Sequence, residues 1–179
     1  MAEVFVAPTP EAEVMGGPML GILAGLGEEA RPLLEKHGLS EIDPQGWYKM
    51  QHYLDVLAEV AGGDVNVLQN LVSVGMHAMD NAQLPPETDT LAKALMNLEM
   101  TFQMSHRNAG HGWDVEMVDD RTIVCTSHTP YPDDIEYGVL YAYARLFDST
   151  SGNYVVSYDE STPRKDKGGE FTRFIFELD

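Results

Sequence analysis

Up to about Arg107 the apolar residues recur every third or fourth position; beyond it they mostly recur every second position, with one helical stretch in between. A side chain returns to the same face after about 3.6 residues on a helix and after two on a strand, so this switch places a helical layer first and a sheet second. In the first half, Leu20, Leu23, Leu26, Ala30, Leu33 and Leu34 form a stripe over residues 19–37, and Gly38 offers a C-terminal cap. Asp43-Pro44 opens a second helix carrying Trp47, Met50, Leu54 and Leu57, which Gly62-Gly63 stops. Asp64 opens a third with Val65, Leu68, Val72, Gly75, Met76 and Met79 inward, and Leu84-Pro85-Pro86 separates it from a fourth with Leu91, Leu95, Leu98 and Phe102.

In the second half, Trp113, Val115 and Met117 alternate with acids, Asp119-Asp120 makes a turn, and Thr122 to Cys125 returns as a second strand. Pro132, Asp133 and Asp134 suit a helix N-terminus, since proline is already at the required φ and carboxylates favour the positive dipole end. Ile135, Val139, Ala142, Leu146 and Phe147 follow along its buried side. Tyr154, Val156 and Tyr158 then alternate, and residues 171–178 supply a last strand in which Phe174 and Phe176 share a face. The expected fold class is α+β: an N-terminal four-helix layer packed on a C-terminal antiparallel sheet of two hairpins joined by a helix. With 179 residues this fits one domain, assigned to 19–179. Residues 1–18 hold Pro8, Pro10, Gly16, Gly17 and Pro18 and are expected to form a flexible arm.

Charge narrows the partners. A formal net charge of −18 repels nucleic-acid phosphate and anionic membrane surfaces, and no apolar run has the roughly 20 residues that cross a bilayer. Neither nucleic acid nor membrane insertion is expected. Residues 1–18 carry acids and no base, the wrong charge for a targeting peptide, so the expected location is cytoplasmic. Cys125, the single cysteine, cannot form an internal disulfide. Arg164, Lys165 and Lys167 before Gly168-Gly169 read as a flexible cationic loop, either solvated or meeting an anion.

Catalysis has no positive support: there is no phosphate loop and no dinucleotide fingerprint, and adjacent Ser127 and His128 point to opposite faces of a strand. Asp133, Asp134 and Glu136 could do acid–base work, but dipole compensation accounts for them. His106, His111, Cys125 and His128 could meet as a zinc site, although their spacings are not those of a zinc knuckle. His77, near Met76 and Met79, could serve as a haem ligand, and a surface histidine accounts for it as well. No metal ligand and no cofactor is assigned. Rings are the stronger signal. Trp47, Trp113, Tyr131 and Tyr137 are the candidate walls of a ligand pocket at the helix–sheet junction, with Cys125 grouped beside them. Ten methionines add adaptable lining for a cavity or a dimer face.

The order of four helices, hairpin, helix and hairpin, with the run from Thr122 through Cys125, Ser127, Thr129, Tyr131, Pro132, Asp133 and Gly138 to Leu140, resembles the four-vinyl-reductase-type small-molecule-binding domain. That family is grouped by fold with haem nitric-oxide sensor domains and subunits of the TRAPP transport complex. The resemblance spans roughly residues 17–178 and implies a close helix-to-sheet contact at Gly138. Many such domains carry several cysteines; this chain has Thr172 where one is expected in the final hairpin, so a cysteine-built metal site is not expected. The haem branch carries a Tyr-x-Ser-x-Arg contact to the propionates. The nearest text here, Tyr158, Ser161 and Arg164, has different spacing.

The resulting expectation is a non-enzymatic domain that binds a small apolar or planar molecule in a sensory, carrier or regulatory role. With no output domain of its own, it would signal through a homodimer or through a protein partner docking on its acidic face. A structural or assembly scaffold with a filled core is the alternative, and a haem- or metal-binding sensor is a third reading.

Overall fold

The computed structural model describes residues 5–63, 71–81, 84–85, 88–147 and 154–178. The third helix's expected start at Asp64, with Val65 and Leu68, and the Pro86 break lie outside the described residues. The helical half contains β1 (Glu13–Met15), α1 (Gly16–Ala24), α2 (Arg31–Lys36), β2 (Trp47–Lys49), α3 (Met50–Ala61), α4 (Leu71–Met76), α5 (Leu91–Met96), α6 (Leu98–Ser105) and β3 (His106–Arg107). The sheet half contains β4 (Trp113–Met117), β5 (Thr122–Ser127), α7 (Asp133–Leu146), β6 (Tyr154–Tyr158) and β7 (Thr172–Leu178). None of the described helices is long and apolar enough to cross a membrane.

The expected α+β division holds, with local departures that have physical causes. Gly25 to Gly27 split the first helical stretch, Gly27 taking a φ of 78° that a helix cannot contain. Asn97 divides the fourth stretch into α5 and α6, capping the first helix and starting the second. Residues 13–15, expected in a flexible arm, are the central strand of a small antiparallel sheet ordered β2-β1-β3, and Ala12 and Val14 are buried beneath it. Pairing of Met15 with Trp47 draws Trp47 into β2 and delays α3 until Met50.

The larger sheet is antiparallel in the order β4-β5-β7-β6, so the two expected hairpins meet through β5 and β7. Trp113 lies opposite Ser127, Cys125 opposite Phe174, and Val156 opposite Phe176. Ile123, Cys125, Phe174 and Phe176 are fully buried on the inner face, against Leu95 and Phe102 of the helical layer and Leu140 and Tyr143 of α7. A second apolar cluster joins Met19, Leu23, Tyr53, Leu57, Val74 and Ile135. Tyr131 and Val139 pack against both clusters, so α7 and the loop before it join the two cores.

Gly138 is a contact point between helices, where the resemblance implied a helix-to-sheet contact. A Cβ at Gly138 would stand 2.1 Å from the Val72 carbonyl oxygen of α4, and one at Gly75 would stand 2.1 Å from the Ile135 carbonyl oxygen of α7. The two glycines let backbone meet backbone where α4 packs on α7.

Candidate functional site

Among the helices α1, α3, α6 and α7 lies a cavity of about 380 Å³, which the larger sheet reaches through Trp113, so it sits inside the helical half and not at the expected helix–sheet junction. Met19 and Ile22 of α1, Tyr53 of α3, Leu98, Thr101 and Phe102 of α6, Trp113 of β4 and Val139 and Tyr143 of α7 are among its walls. Its size falls within the range of roughly 300–1,000 Å³ common for small-molecule sites.

The polar centre of the cavity is His106. It stands four residues after Phe102, one helical turn on, so its Nδ1 reaches the Phe102 carbonyl oxygen at 2.9 Å while its ring stacks on Phe102 with centroids 4.0 Å apart. A carbonyl oxygen can only accept, so Nδ1 carries the proton and Nε2 the lone pair. The Tyr131 hydroxyl, 2.7 Å from Nε2, therefore donates to it. Tyr131 lies between Pro130 and Pro132, its amide donates to Thr129 Oγ1 at 3.3 Å, and its ring meets Tyr53 edge-on at 5.8 Å. The buried Tyr53 hydroxyl has no hydrogen-bond partner among the described residues. A buried phenol normally finds one, so this donor is available to a bound molecule.

Burial keeps the imidazole and the two phenols uncharged. It lowers His106 to about 4, with the Phe102 carbonyl and the distant Glu99 charge opposing it, and raises the Tyr53 and Tyr131 phenols well above their usual range. The histidine consequence is testable. Because the unfolded imidazole takes up a proton near pH 6.5 and the folded one does not, the stability contribution is present above that pH and is lost as pH falls towards 4. Unfolding in urea should show the wild type losing about 2 kcal/mol between pH 7 and pH 5 relative to His106→Gln. Parallel pH profiles would show that the imidazole is not buried in its neutral form.

Glu136 also borders the cavity, and its carboxylate is committed elsewhere. Lys165 Nζ donates to Glu136 Oε2 at 2.7 Å, Ser127 Oγ at 2.8 Å and the Thr129 carbonyl at 2.9 Å. The Ser127 hydroxyl, at 2.6 Å, and the Thr129 hydroxyl donate to Glu136 Oε1. Beside them Thr172 Oγ1 donates to Asp133 Oδ1 at 2.7 Å and accepts from the Lys165 amide at 2.9 Å. The loop expected to be flexible and cationic is thus pinned inward: Lys165 meets Glu136, and Arg164 pairs with Asp166 at 3.0 Å and lies 4.0 Å over the Tyr158 ring.

Of the rings singled out by sequence, Trp113 and Tyr131 line the cavity. Trp47 stands outside its wall on β2, with the Arg107 guanidinium 3.6 Å over its ring. Tyr137 faces β6, donating to the Val156 carbonyl at 2.8 Å and packing on Tyr158 at 5.1 Å. Cys125 is buried in the sheet core, where desolvation raises its thiol pKa and leaves it inert. His77 pairs with Asp80 at 2.9 Å on the surface. The role of His106 was not anticipated. The one sequence trace of it is the four-residue spacing from Phe102.

No family model matches the chain, and no curated protein matches it. Solved structures do. An H-NOX protein from S. oneidensis in the Fe(II)NO ligation state is 15% identical with a TM-score of 0.67, covering 92% of this chain and 99% of its own. An oxygen-binding H-NOX domain related to soluble guanylate cyclases, in its oxygen complex, is 16% identical with a TM-score of 0.63, covering 92% and 95%. The I5F mutant of T. Tengcongensis H-NOX is 14% identical with a TM-score of 0.61, covering 92% and 97%. At such identities the likeness establishes architecture alone: this chain has the fold of the H-NOX proteins.

Proposed function

We propose that the chain is a non-enzymatic sensor domain whose interhelical cavity takes one compact, neutral, largely apolar organic molecule. One observation carries this reading: the cavity is walled by apolar side chains around a neutral imidazole–phenol pair, with the unpartnered Tyr53 hydroxyl among its lining groups. Such a wall favours a molecule with an apolar body and one hydrogen-bond acceptor, which Tyr53 would hold. Trp113 and Tyr131 would serve as its flat contacts. The bound state would be read out through self-association or a protein partner. A filled-core scaffold is disfavoured by the open volume.

The fold neighbours raise haem as the alternative ligand. His106 is the right kind of donor, neutral and oriented through Nδ1 by a backbone carbonyl. The rest of the site does not fit. Nε2 already accepts from Tyr131, and no Lys or Arg stands among the described lining residues to meet propionates. The site is therefore assigned to an uncharged organic molecule.

The test is titration of the purified protein with an apolar naphthalene-based dye whose emission rises on leaving water. The wild type should bind one equivalent, and Val139→Phe, which fills the cavity from α7, should weaken binding at least tenfold while melting cooperatively. Equal affinity in the folded variant would place the dye elsewhere and remove the cavity as the site.

A further inference from the structure

The outer face of the β4–β5 hairpin carries a second cluster that the cavity does not use. Asp114 pairs across the ladder with Thr126, and the ladder continues past β5, where the His128 amide donates to the Gly112 carbonyl at 2.9 Å. Residues two apart share a face of a strand, so Asp114 and His128 are diagonal neighbours on the solvent side. His111 reaches the same face from the loop that turns at Gly110, whose φ is 75°. The outcome is a triad in which His111 Nε2 lies 2.8 Å from Asp114 Oδ1 and His128 Nε2 lies 2.9 Å from Asp114 Oδ2. The donor atoms all lie within 4.8 Å of one another.

We propose that His111, Asp114 and His128 form a binding site for one transition-metal dication of the zinc and cobalt class. Metal–nitrogen and metal–oxygen bonds of about 2 Å place neighbouring ligand atoms a little over 3 Å apart, which these donors reach with small rotations. Two imidazoles and one carboxylate select such an ion over magnesium or calcium, which prefer all-oxygen shells. The supporting shell is already built. Glu99 Oε1 lies 3.1 Å from His111 Nδ1, and its Oε2 accepts from the Gly112 amide at 2.9 Å and the Trp113 amide at 2.8 Å. A carboxylate on the far nitrogen orients an imidazole and raises its basicity towards a metal. The net charge of −18 draws cations to the surface. Of the four residues considered together from sequence, the structure separates His106 into the cavity and Cys125 into the core, and brings His111 and His128 to a ring separation of 5.6 Å. With three protein ligands the ion would keep an open position for water, and it would tie the start of β4, next to the cavity residue Trp113, to the end of β5.

The test is titration of chelator-stripped, untagged protein with Co²⁺, followed by visible absorption and equilibrium dialysis. The wild type and the control His52→Gln should each take up one equivalent with a saturating d–d spectrum that Zn²⁺ displaces. The double variant His111→Gln/His128→Gln, both positions partly exposed, should keep its melting temperature and lose affinity at least tenfold. An absent or non-saturating spectrum in the wild type, or an undiminished one in the double variant, would overturn the site.

Discussion

Gly138→Ala is expected to lower the unfolding free energy by about 3 kcal/mol, or roughly 6–12 °C in melting temperature for a chain of this size. An alanine in an exposed helix interior is worth about 1 kcal/mol more than glycine, so propensity alone would stabilise the variant. Here the new methyl would stand 2.1 Å from the Val72 carbonyl, with Gly75 Cα and the Met76 amide nitrogen each 3.0 Å away. All three are backbone atoms that no rotamer change can move, so α4 and α7 must separate. Gly75→Ala meets the Ile135 carbonyl in the same way and should cost a similar amount. Gly17→Ala, whose Cβ meets only the Pro44 oxygen at an ordinary 3.4 Å, is the control and should be close to neutral. Urea unfolding of the three variants decides the matter; an unchanged midpoint for Gly138→Ala would mean that the helices do not meet through their backbones there.

The second large effect is at Lys165. Lys165→Met strands the buried Glu136 carboxylate and should cost about 3 kcal/mol at neutral pH, as removing one partner of a buried pair does. Burial pushes the Glu136 carboxyl above its ordinary value, and Lys165, Ser127 and Thr129 hold it back. Without the ammonium, the folded variant keeps a proton that the unfolded chain releases, so its stability falls as pH rises from the ordinary carboxylate range towards neutrality. The gap to wild type should therefore widen between pH 5 and pH 8. Glu136→Leu combined with Lys165→Met removes both charges and should recover part of the loss. A variant as stable as wild type at pH 8 would show that the pair does not pin the loop before β7 to α7.

The sequence carried the order of layers well because long stripes such as Leu91, Leu95, Leu98 and Phe102, and the Trp113 to Met117 alternation, are local signals. The helix start at Pro132 and Asp133 was local too. Three-residue β1 is too short for any period to register, and its partners β2 and β3 lie far along the chain. The resemblance alone singles out Gly138, as a contact with the sheet, and no local signal in the sequence shows that α4 covers it. Of the four rings singled out, Trp113 and Tyr131 reach the cavity and Trp47 and Tyr137 do not, because the pairing of β1 with β2 and the packing of α7 on β6 decide where each ring goes and neither is a local signal. His106 could not be singled out, since its role depends on a tautomer set by Phe102 and on a phenol 25 residues away. The Lys165–Glu136 pair spans 29 residues, and the loop's glycines and cations gave no sign of an inward anchor.

The central claim is that the cavity holds a neutral organic molecule and not haem. Native mass spectrometry and an absorption spectrum, taken on one fresh preparation from cells supplied with a haem precursor, test it most directly. The account predicts a mass above that of the chain by one small organic molecule, released on denaturation, and no Soret band. A mass increase of one haem, with a Soret band that His106→Gln abolishes, would contradict it.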